Sequence, residues 1–143
     1  MRRGWILLVL LSSFGLAQEM TPGALLQMGS FLKKINPASY LLYAAEAKDF
    51  VEVFEPFILD VRTAEERSRG FLPDSVHIHI SQLPDRLSEL PKEKDRPILV
   101  YCGTGHVSAV AAAYLRALGY REVKNLNGGF RAWLELGLPV QKP

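Results

Sequence analysis

The sequence predicts a three-layer α/β/α sandwich built on a central, mainly parallel sheet. Segments of strand character alternate with segments of helical character between residues 57 and 136. The strand segments are unbroken apolar runs, as expected when helices cover both faces of a parallel sheet. A length of 143 residues, with 48% hydrophobic and 22% charged residues, fits one domain that can bury a core.

The first 17 residues are typical of a secretory signal peptide. Arg2 and Arg3 precede the apolar run 5–11, and Gly15 and Ala17 supply small residues before a cleavage point. A retained membrane anchor is the alternative, but a spanning helix needs about 20 mostly apolar residues. The uncharged stretch here runs only from residue 4 to residue 18. We therefore expect export to the periplasm or secretion, with cleavage after Ala17 and no stable membrane insertion afterwards.

Charge gives no argument for a nucleic-acid partner. Residues 1–17 carry two basic residues and no acidic ones, so the 17 basic residues of the whole chain fall to the number of acidic residues, 15, after cleavage. A net charge near zero does not favour polyanions.

Residues 18–36 are predicted to form an N-terminal helical extension before a domain at residues 37–143. Thr21-Pro22 can begin a helix, because proline is tolerated in the first turn. Apolar residues then recur at helical spacing, which favours a helix packed on the domain over a docking helix. They are Leu25, Leu26, Met28, Phe31, Leu32 and Ile35.

The first half of the domain is predicted to contain two strands and two helices. Asn36 caps a helix that runs to about Lys48, and Thr63 with Glu66 forms a capping box for a short helix over 64–68. The strands are expected at residues 57–61 and 76–80, where apolar runs lie between turn residues.

The second half continues the alternation. We expect helices at 82–90, 108–118 and 130–136, and strands at 98–101 and 122–126. Pro91, Gly119 and Gly137 end the three helices, as proline and glycine commonly do.

Cys102 is the single cysteine of the chain, and its place in the pattern suggests a reactive thiol. Free cysteines are often simply buried. Here, however, the residue follows a predicted parallel strand, and ligands bind at the carboxyl ends of such strands. Gly103 and Gly105 let the backbone curl so that the N–H groups of residues 103–108 face inward. Together with the following helix N-terminus, this nest would lower the thiol pKa and hold an anionic persulfide.

The motifs around this cysteine resemble those of a rhodanese domain, a single-domain sulfurtransferase family. The first half of the pattern is Asp60-Val61-Arg62, Glu65-Glu66 and Gly70-Phe71-Leu72-Pro73. The second half is Tyr101-Cys102-x-x-Gly105-x-x-Ser108, Ala112, Leu115, Leu118-Gly119-Tyr120, Val123, Leu126, Gly128-Gly129, Trp133 and Gly137-Leu138-Pro139-Val140.

The resemblance implies a sulfurtransferase in which Cys102 is the catalytic residue. The cysteine would take sulfane sulfur from thiosulfate or a persulfide, form a persulfide itself, and pass the sulfur to a thiol or a cyanide-like acceptor. A protein persulfide is a further possible partner, and no metal or organic cofactor is implied. The loop N–H groups would bind the substrate. They belong to Gly103, Thr104, Gly105, His106, Val107 and Ser108.

The loop departs from the family pattern at its basic positions. Members that use thiosulfate well usually carry a basic residue directly after the cysteine and an arginine two residues after the loop glycine, whereas these positions are Gly103 and Val107. We therefore expect weak thiosulfate turnover, and a non-catalytic sulfur carrier or partner-binding module remains the alternative. A Cys-x5-Arg phosphatase is disfavoured, because Ser108 stands where the phosphate-binding arginine would be.

Several other residues have two interpretations each. His106 either tunes the thiol or is an exposed loop residue. Asp60 either orients the loop or caps a turn. Arg62 either forms a salt bridge with Glu65 or Glu66, or brings a positive charge to the site.

His77 and His79 are predicted to share a strand face, and ordinary sheet residues are favoured over metal ligands there. The aromatic residues Phe71, Tyr101 and Trp133 are predicted to be core or pocket-wall residues.

Overall fold

Residues 19–143, the part of the chain that a computed structural model describes, contain five strands, five α-helices and three 3₁₀ segments. The predicted signal peptide lies outside the described residues. The described residues divide into two units, one ending at residue 35 and the other covering residues 36–143.

The described part of the first unit contains helix α1, Pro22–Lys34. The Thr21 side chain accepts a hydrogen bond from Ala24 N at 3.3 Å, which confirms the predicted helix start. Lys33 and Lys34 lie in the last turn, where positive charge is favourable for the helix dipole. No helix within residues 19–143 has the length and apolar character of a membrane span.

The second unit alternates strands with helices along the chain. Its strands are β1 (Leu41–Leu42), β2 (Phe57–Asp60), β3 (Val76–His77), β4 (Ile98–Tyr101) and β5 (Val123–Leu126). Its α-helices are α2 (Ala44–Phe54), α3 (Ala64–Ser68), α4 (His106–Ala117) and α5 (Gly129–Glu135).

The strands form one sheet in the order β1-β5-β4-β2-β3, and every pairing is parallel. The β2–β4 register places Phe57 beside Ile98 at one end and Asp60 beside Tyr101 at the other. The carboxyl end of β4 is therefore at the middle of the sheet edge, with the end of β2 next to it.

Two apolar cores, one on each face of the sheet, give the predicted three-layer α/β/α fold. Alternate residues of β2 and β4 point to opposite faces. Leu59 and Val100 join the core that α4 covers, whereas Ile58 and Leu99 join the core that α2 and α5 cover.

Two predicted helices were wrong, the first because a strand outside the segment pairs with part of it and the second because a proline lies inside it. Residues 37–48 form a 3₁₀ turn, Pro37–Tyr40, followed by β1 and only then by α2. The edge strand exists because β5 is available to pair with it. Residues 82–90 form two 3₁₀ segments, Ile80–Asp85 and Leu87–Glu89. Pro84 lies inside the first of them and lacks the N–H that an α-helix needs.

Candidate active site

Cys102 follows directly on β4, at the middle of the sheet's carboxyl edge. Three residues separate it from α4, which begins at His106 rather than near Ser108 as predicted. Gly105 has a φ of +96° and turns the chain directly into the helix, so the loop is shorter than the sequence suggested. Ser108 consequently lies in the first helical turn, where backbone N–H groups have no partner within the helix.

Three hydrogen-bond donors reach the Cys102 sulfur. Gly105 N lies 3.1 Å from Sγ, Ser108 N lies 3.4 Å from it, and Ser108 Oγ lies 3.3 Å from it. Each of these groups donates to sulfur, so the arrangement suits a negatively charged sulfur atom better than a thiol.

The donors outweigh the effect of burial on the thiol. Cys102 is 5% exposed, and burial by itself raises the pKa of a thiol. Hydrogen bonds from the Ser108 hydroxyl and from the N–H groups of Ser108 and Gly105 nevertheless hold the pKa of Cys102 below its ordinary value. Although it belongs to an apolar cluster, the sulfur is therefore surrounded by donors.

The remaining predicted loop residues do not hydrogen-bond to the sulfur. The His106 ring is directed away to Thr104, whose Oγ1 lies 2.9 Å from its Nδ1, and both residues are exposed. Gly103 and Val107 make no hydrogen bond to Sγ in the described part of the chain. Their predicted contact with a substrate stays a prediction.

The start of α5 holds the first two residues of the loop. Phe130 N donates to Cys102 O at 2.8 Å, and Arg131 N donates to Gly103 O at 3.1 Å. Gly129 has a φ of +61°, and a Cβ there would lie 2.5 Å from Cys102 O. The Gly128-Gly129 pair is therefore needed so that this helix can approach the cysteine loop closely.

Asn125 holds the other end of the loop and was missed in the sequence analysis. The side chain on β5 is 1% exposed, and its Nδ2 donates to Gly105 O at 3.0 Å. Its Oδ1 has no hydrogen-bond partner within the described residues. The sequence feature that could have identified this residue is an amide side chain inside a predicted strand, Val123-Lys124-Asn125-Leu126.

Asp60 and Arg62 form a buried ion pair at the end of β2, beside the cysteine strand. Arg62 Nε lies 3.0 Å from Asp60 Oδ1, and Arg62 Nη2 lies 2.8 Å from Asp60 Oδ2. The predicted pairing of Arg62 with Glu65 or Glu66 was therefore wrong. The reason is that Arg62 is 4% exposed, and a buried guanidinium needs a buried partner rather than a surface carboxylate.

The Asp60 carboxylate also accepts hydrogen bonds from Tyr101 and Arg67, and neither contact was predicted from the sequence. Tyr101 Oη donates to Asp60 Oδ2 at 2.7 Å, and Arg67 Nη1 donates to the same oxygen at 3.1 Å. Burial by itself raises the pKa of Asp60, but hydrogen bonds from Arg62 and Tyr101 bring it below its ordinary value. Burial and the nearby Asp60 charge raise the pKa of Tyr101 to about 12, so its hydroxyl stays a donor. Asp60 thus orients Arg62, Arg67 and Tyr101 rather than the cysteine loop.

Of the two histidines predicted to share a strand, His77 lies on β3 and His79 lies after its end, and both serve local structure. His77 Nε2 donates to Arg62 O at 2.7 Å, and His79 Nδ1 lies 2.7 Å from Ser81 Oγ. Residues 19–143 contain no group of three or more His, Cys, Asp or Glu side chains placed to hold a metal ion.

The aromatic residues largely form walls, as predicted. Tyr101 is fully buried, and Trp133 is 4% exposed, with its Nε1 donating to Pro139 O at 2.8 Å. Phe71 is half-buried, and the Arg67 guanidinium lies 3.8 Å from the centre of its ring.

A cavity of about 620 Å³ lies away from the cysteine. Phe57 and Ile58, at the beginning of β2, line it together with α2 and Trp133, and no residue of the cysteine loop does. Because β2 and β4 are parallel and start together, this cavity is near the amino ends of the strands, whereas Cys102 follows the carboxyl end of β4. The chemistry of the site therefore belongs to the cysteine loop and not to this cavity.

Comparisons with known proteins agree with this arrangement. The family model of the rhodanese-like domain matches residues 43–136. A protein of Allochromatium vinosum named sulfurtransferase is 41% identical over 86 residues, covering 60% of this chain and 78% of that protein. The thiosulfate sulfurtransferase GlpE of Pseudomonas savastanoi is 36% identical over 76 residues, covering 53% of this chain and 70% of the relative.

Solved structures share the fold. The solution structure of the rhodanese-like domain of the Anabaena protein Alr3790 superposes with a TM-score of 0.64 at 32% identity, covering 76% of this chain and 81% of that one. A rhodanese-related protein of Thermoplasma volcanium gives a TM-score of 0.63 at 32% identity, covering 71% of this chain and 97% of that one. The chain therefore belongs to the rhodanese-like domain family, and proteins named sulfurtransferases are among its relatives.

Proposed function

We propose that this protein is a sulfurtransferase that carries sulfane sulfur on Cys102. The thiolate attacks the outer sulfur of thiosulfate or of a persulfide, and sulfite or a thiolate leaves with the electron pair of the broken S–S bond. The product is the Cys102 persulfide anion. A thiophilic acceptor, such as a thiolate or cyanide, then attacks the outer sulfur and regenerates the Cys102 thiolate. Two such displacements predict ping-pong kinetics.

The convergence of three donors on Sγ is the observation that carries the proposal. Gly105 N, Ser108 N and Ser108 Oγ approach the sulfur from the loop and the helix N-terminus at 3.1 to 3.4 Å. Donors placed in advance around a developing negative charge stabilise it without reorganisation. The same donors favour both the attacking thiolate and the departing thiolate of the second step.

The charge around the loop favours a persulfide over thiosulfate as donor. The nearby Arg62 guanidinium is already bound to Asp60 and to Gly70 O, and it is 4% exposed. A dianion at the loop would therefore meet neutral N–H dipoles, and charge-assisted hydrogen bonds are about twice as strong as neutral ones. Slow turnover with thiosulfate follows from this difference.

The decisive experiment measures sulfur on the protein itself. The chain lacking residues 1–17 is incubated with thiosulfate or with polysulfide, and intact mass is recorded for the addition of one sulfur atom. Cyanide is then added and thiocyanate is assayed, with Cys102→Ser as the control. Loading of Cys102 followed by thiocyanate release supports the proposal, whereas no loading from either donor refutes it.

A sulfur carrier without turnover is the second candidate, favoured by the absence of a basic side chain at Gly103 and Val107. In that case sulfur would load on Cys102 but would not reach cyanide or a small thiol. Release only to a protein thiol would support this candidate over the enzyme.

We also propose that the protein is exported, on the basis of the signal-peptide pattern in residues 1–17. Expression of the full chain in a bacterium, followed by periplasmic fractionation and N-terminal sequencing, tests this. A mature protein that begins at Gln18 in the periplasm is expected, and an uncleaved cytoplasmic chain would contradict export.

A further inference from the structure

Glu66 places a carboxylate beside the cysteine loop, at the position where residue 103 lacks a side chain. A Cβ built on Gly103 would lie 3.3 Å from Glu66 Oε1. Because Gly103 is bonded to Cys102, this oxygen lies within about one Debye length, ~10 Å at 0.1 M salt, of the sulfur. The charge is close enough to act on a donor that approaches Sγ.

The position of Glu66 is fixed by its helix cap. Its Oε2 accepts hydrogen bonds from Thr63 N at 3.0 Å and from Thr63 Oγ1 at 2.8 Å, which closes the capping box of α3. Oε1 takes no part in the cap, and the residue is half-buried. The negative charge is therefore held in place rather than free to swing into solvent.

The neighbouring cations are engaged elsewhere. Arg62 and Arg67 both bind Asp60, and Arg131 Nε lies 3.7 Å from Glu135 Oε1. Within residues 19–143, no Lys, Arg or His lies within 4.0 Å of the Glu66 carboxylate. Its charge is thus not cancelled by an ion pair.

We infer that Glu66 is a specificity-determining residue that disfavours anionic sulfur donors at Cys102. This inference rests on the proposed function, and it narrows the substrate class to donors with less negative charge than the thiosulfate dianion, such as a monoanionic persulfide. Repulsion grows in proportion to the charge of the donor, so a dianion such as thiosulfate is opposed most. Glu66 acts through space on the approaching donor and does not take part in bond making.

The test uses two reagents of similar size and opposite charge, 2-sulfonatoethyl and 2-aminoethyl methanethiosulfonate. Both transfer a thioalkyl group to the Cys102 thiolate and release methanesulfinate. The ratio of their rate constants cancels any change in the thiolate fraction, and so it reports the local potential alone. Glu66→Gln removes the charge and keeps an amide oxygen that can accept from Thr63 N.

Glu65→Gln is the matched control, because it removes the same charge from the same helix. Glu65 pairs with Arg69 and is exposed. We expect Glu66→Gln to raise the sulfonate-to-amine rate ratio by about tenfold at 0.1 M salt, and Glu65→Gln to change it by less than about twofold. The difference should shrink at 1 M salt, where the Debye length is about 3 Å.

Sulfur loading from thiosulfate, followed by intact mass, separates this inference from the proposed function. A raised ratio with faster loading supports both. A raised ratio without sulfur loading from any donor would support the charge effect of Glu66 and refute the proposed sulfurtransferase function. An unchanged ratio in a protein that does load sulfur would overturn the role of Glu66. A Cys102 that reacts with neither reagent would overturn both.

Discussion

Ser108 supplies two of the three hydrogen bonds that reach the Cys102 sulfur, one from its main-chain N–H and one from its hydroxyl. The sequence identified this residue only as a backbone donor of the loop. Its hydroxyl makes the largest contribution among the hydrogen bonds that lower the pKa of the thiol against the opposing effect of burial. Side-chain and main-chain donors of a single residue thus make different contributions to the same anion.

Ser108→Ala should raise the pKa of Cys102, because it removes the hydroxyl and keeps the N–H. Since the folded pKa is below that of a free thiol, the pH–rate curve for alkylation should move to higher pH. At neutral pH, sulfur loading should slow by about tenfold, the value of one hydrogen bond to a charged group. Thr104→Ala is the control, because its hydroxyl lies against His106 instead of the sulfur. A Ser108→Ala curve that coincides with wild type would contradict the assignment.

At the scale of elements, the reactive loop is held from two sides by parts of the chain that follow it. The first turn of α5 donates to Cys102 O and Gly103 O, and Asn125 on β5 donates to Gly105 O. These contacts hold the loop carbonyls against α5 and β5, while the N–H groups of Gly105 and Ser108 face the sulfur. The geometry of the nest therefore depends on β5 and α5 as much as on the loop's own glycines.

Gly129→Ala tests this close approach, with Gly137→Ala as a control of similar backbone conformation. The φ values are +61° and +65°, but a Cβ meets Cys102 O at 2.5 Å only at Gly129, and open space at Gly137. Both variants should lose about 1–3 kcal/mol from backbone strain. Gly129→Ala should lose a further ~1–3 kcal/mol from overpacking.

Urea unfolding measures the stability of both variants, and the alkylation rate of Cys102 measures the effect on the loop. Reactivity should fall in Gly129→Ala alone. Equal losses of stability with unchanged Cys102 reactivity in both variants would show that α5 does not position the loop.

At the scale of the whole molecule, the Asp60 cluster joins parts that are distant in sequence. The carboxylate accepts from Arg62 after β2, from Arg67 at α3 and from Tyr101 at the end of β4. Tyr101 Oη in turn accepts from Leu72 N at 3.1 Å. The carboxyl edge of the sheet, where the cysteine lies, is therefore tied together by one buried charge network.

Asp60→Asn should destabilise the protein by about 3–5 kcal/mol at neutral pH, because it leaves a buried guanidinium without its partner charge. The pKa of Asp60 is lowered in the folded state. Its contribution is therefore complete above the ordinary carboxyl pKa of about 3.9 and is lost as the pH falls through the folded value. The difference between wild type and Asp60→Asn should accordingly narrow in acid.

Urea titrations from neutral pH to pH about 3 check this prediction, and Asp95→Asn serves as a control at an exposed turn residue. Asp95 makes no ion pair within the described residues, so its variant should follow the wild-type curve. A constant difference between wild type and Asp60→Asn at every pH would exclude an ionised Asp60 as the source of the stability.

The sequence by itself determined the fold class, the family and the position of Cys102. Four of the five strands were predicted, because β2 to β5 consist largely of apolar or β-branched runs bounded by turn residues, and such patterns are local. The resemblance to the rhodanese domain rested on the order of short motifs around Cys102, and the family model confirms it.

Only the tertiary structure decided which groups meet. The short strand β1 exists because β5 pairs with it. Arg62 forms its ion pair with Asp60 because the fold buries both side chains side by side. Asn125 reaches Gly105 and Glu66 reaches the space at Gly103 through contacts between separate elements. The periodicity of apolar residues predicts which side of a segment faces the core and which faces solvent. It does not predict which side chains of other segments pack against that segment. The reactive cysteine could therefore be predicted from the sequence, whereas most of the hydrogen-bond donors and charges that determine its chemistry could not.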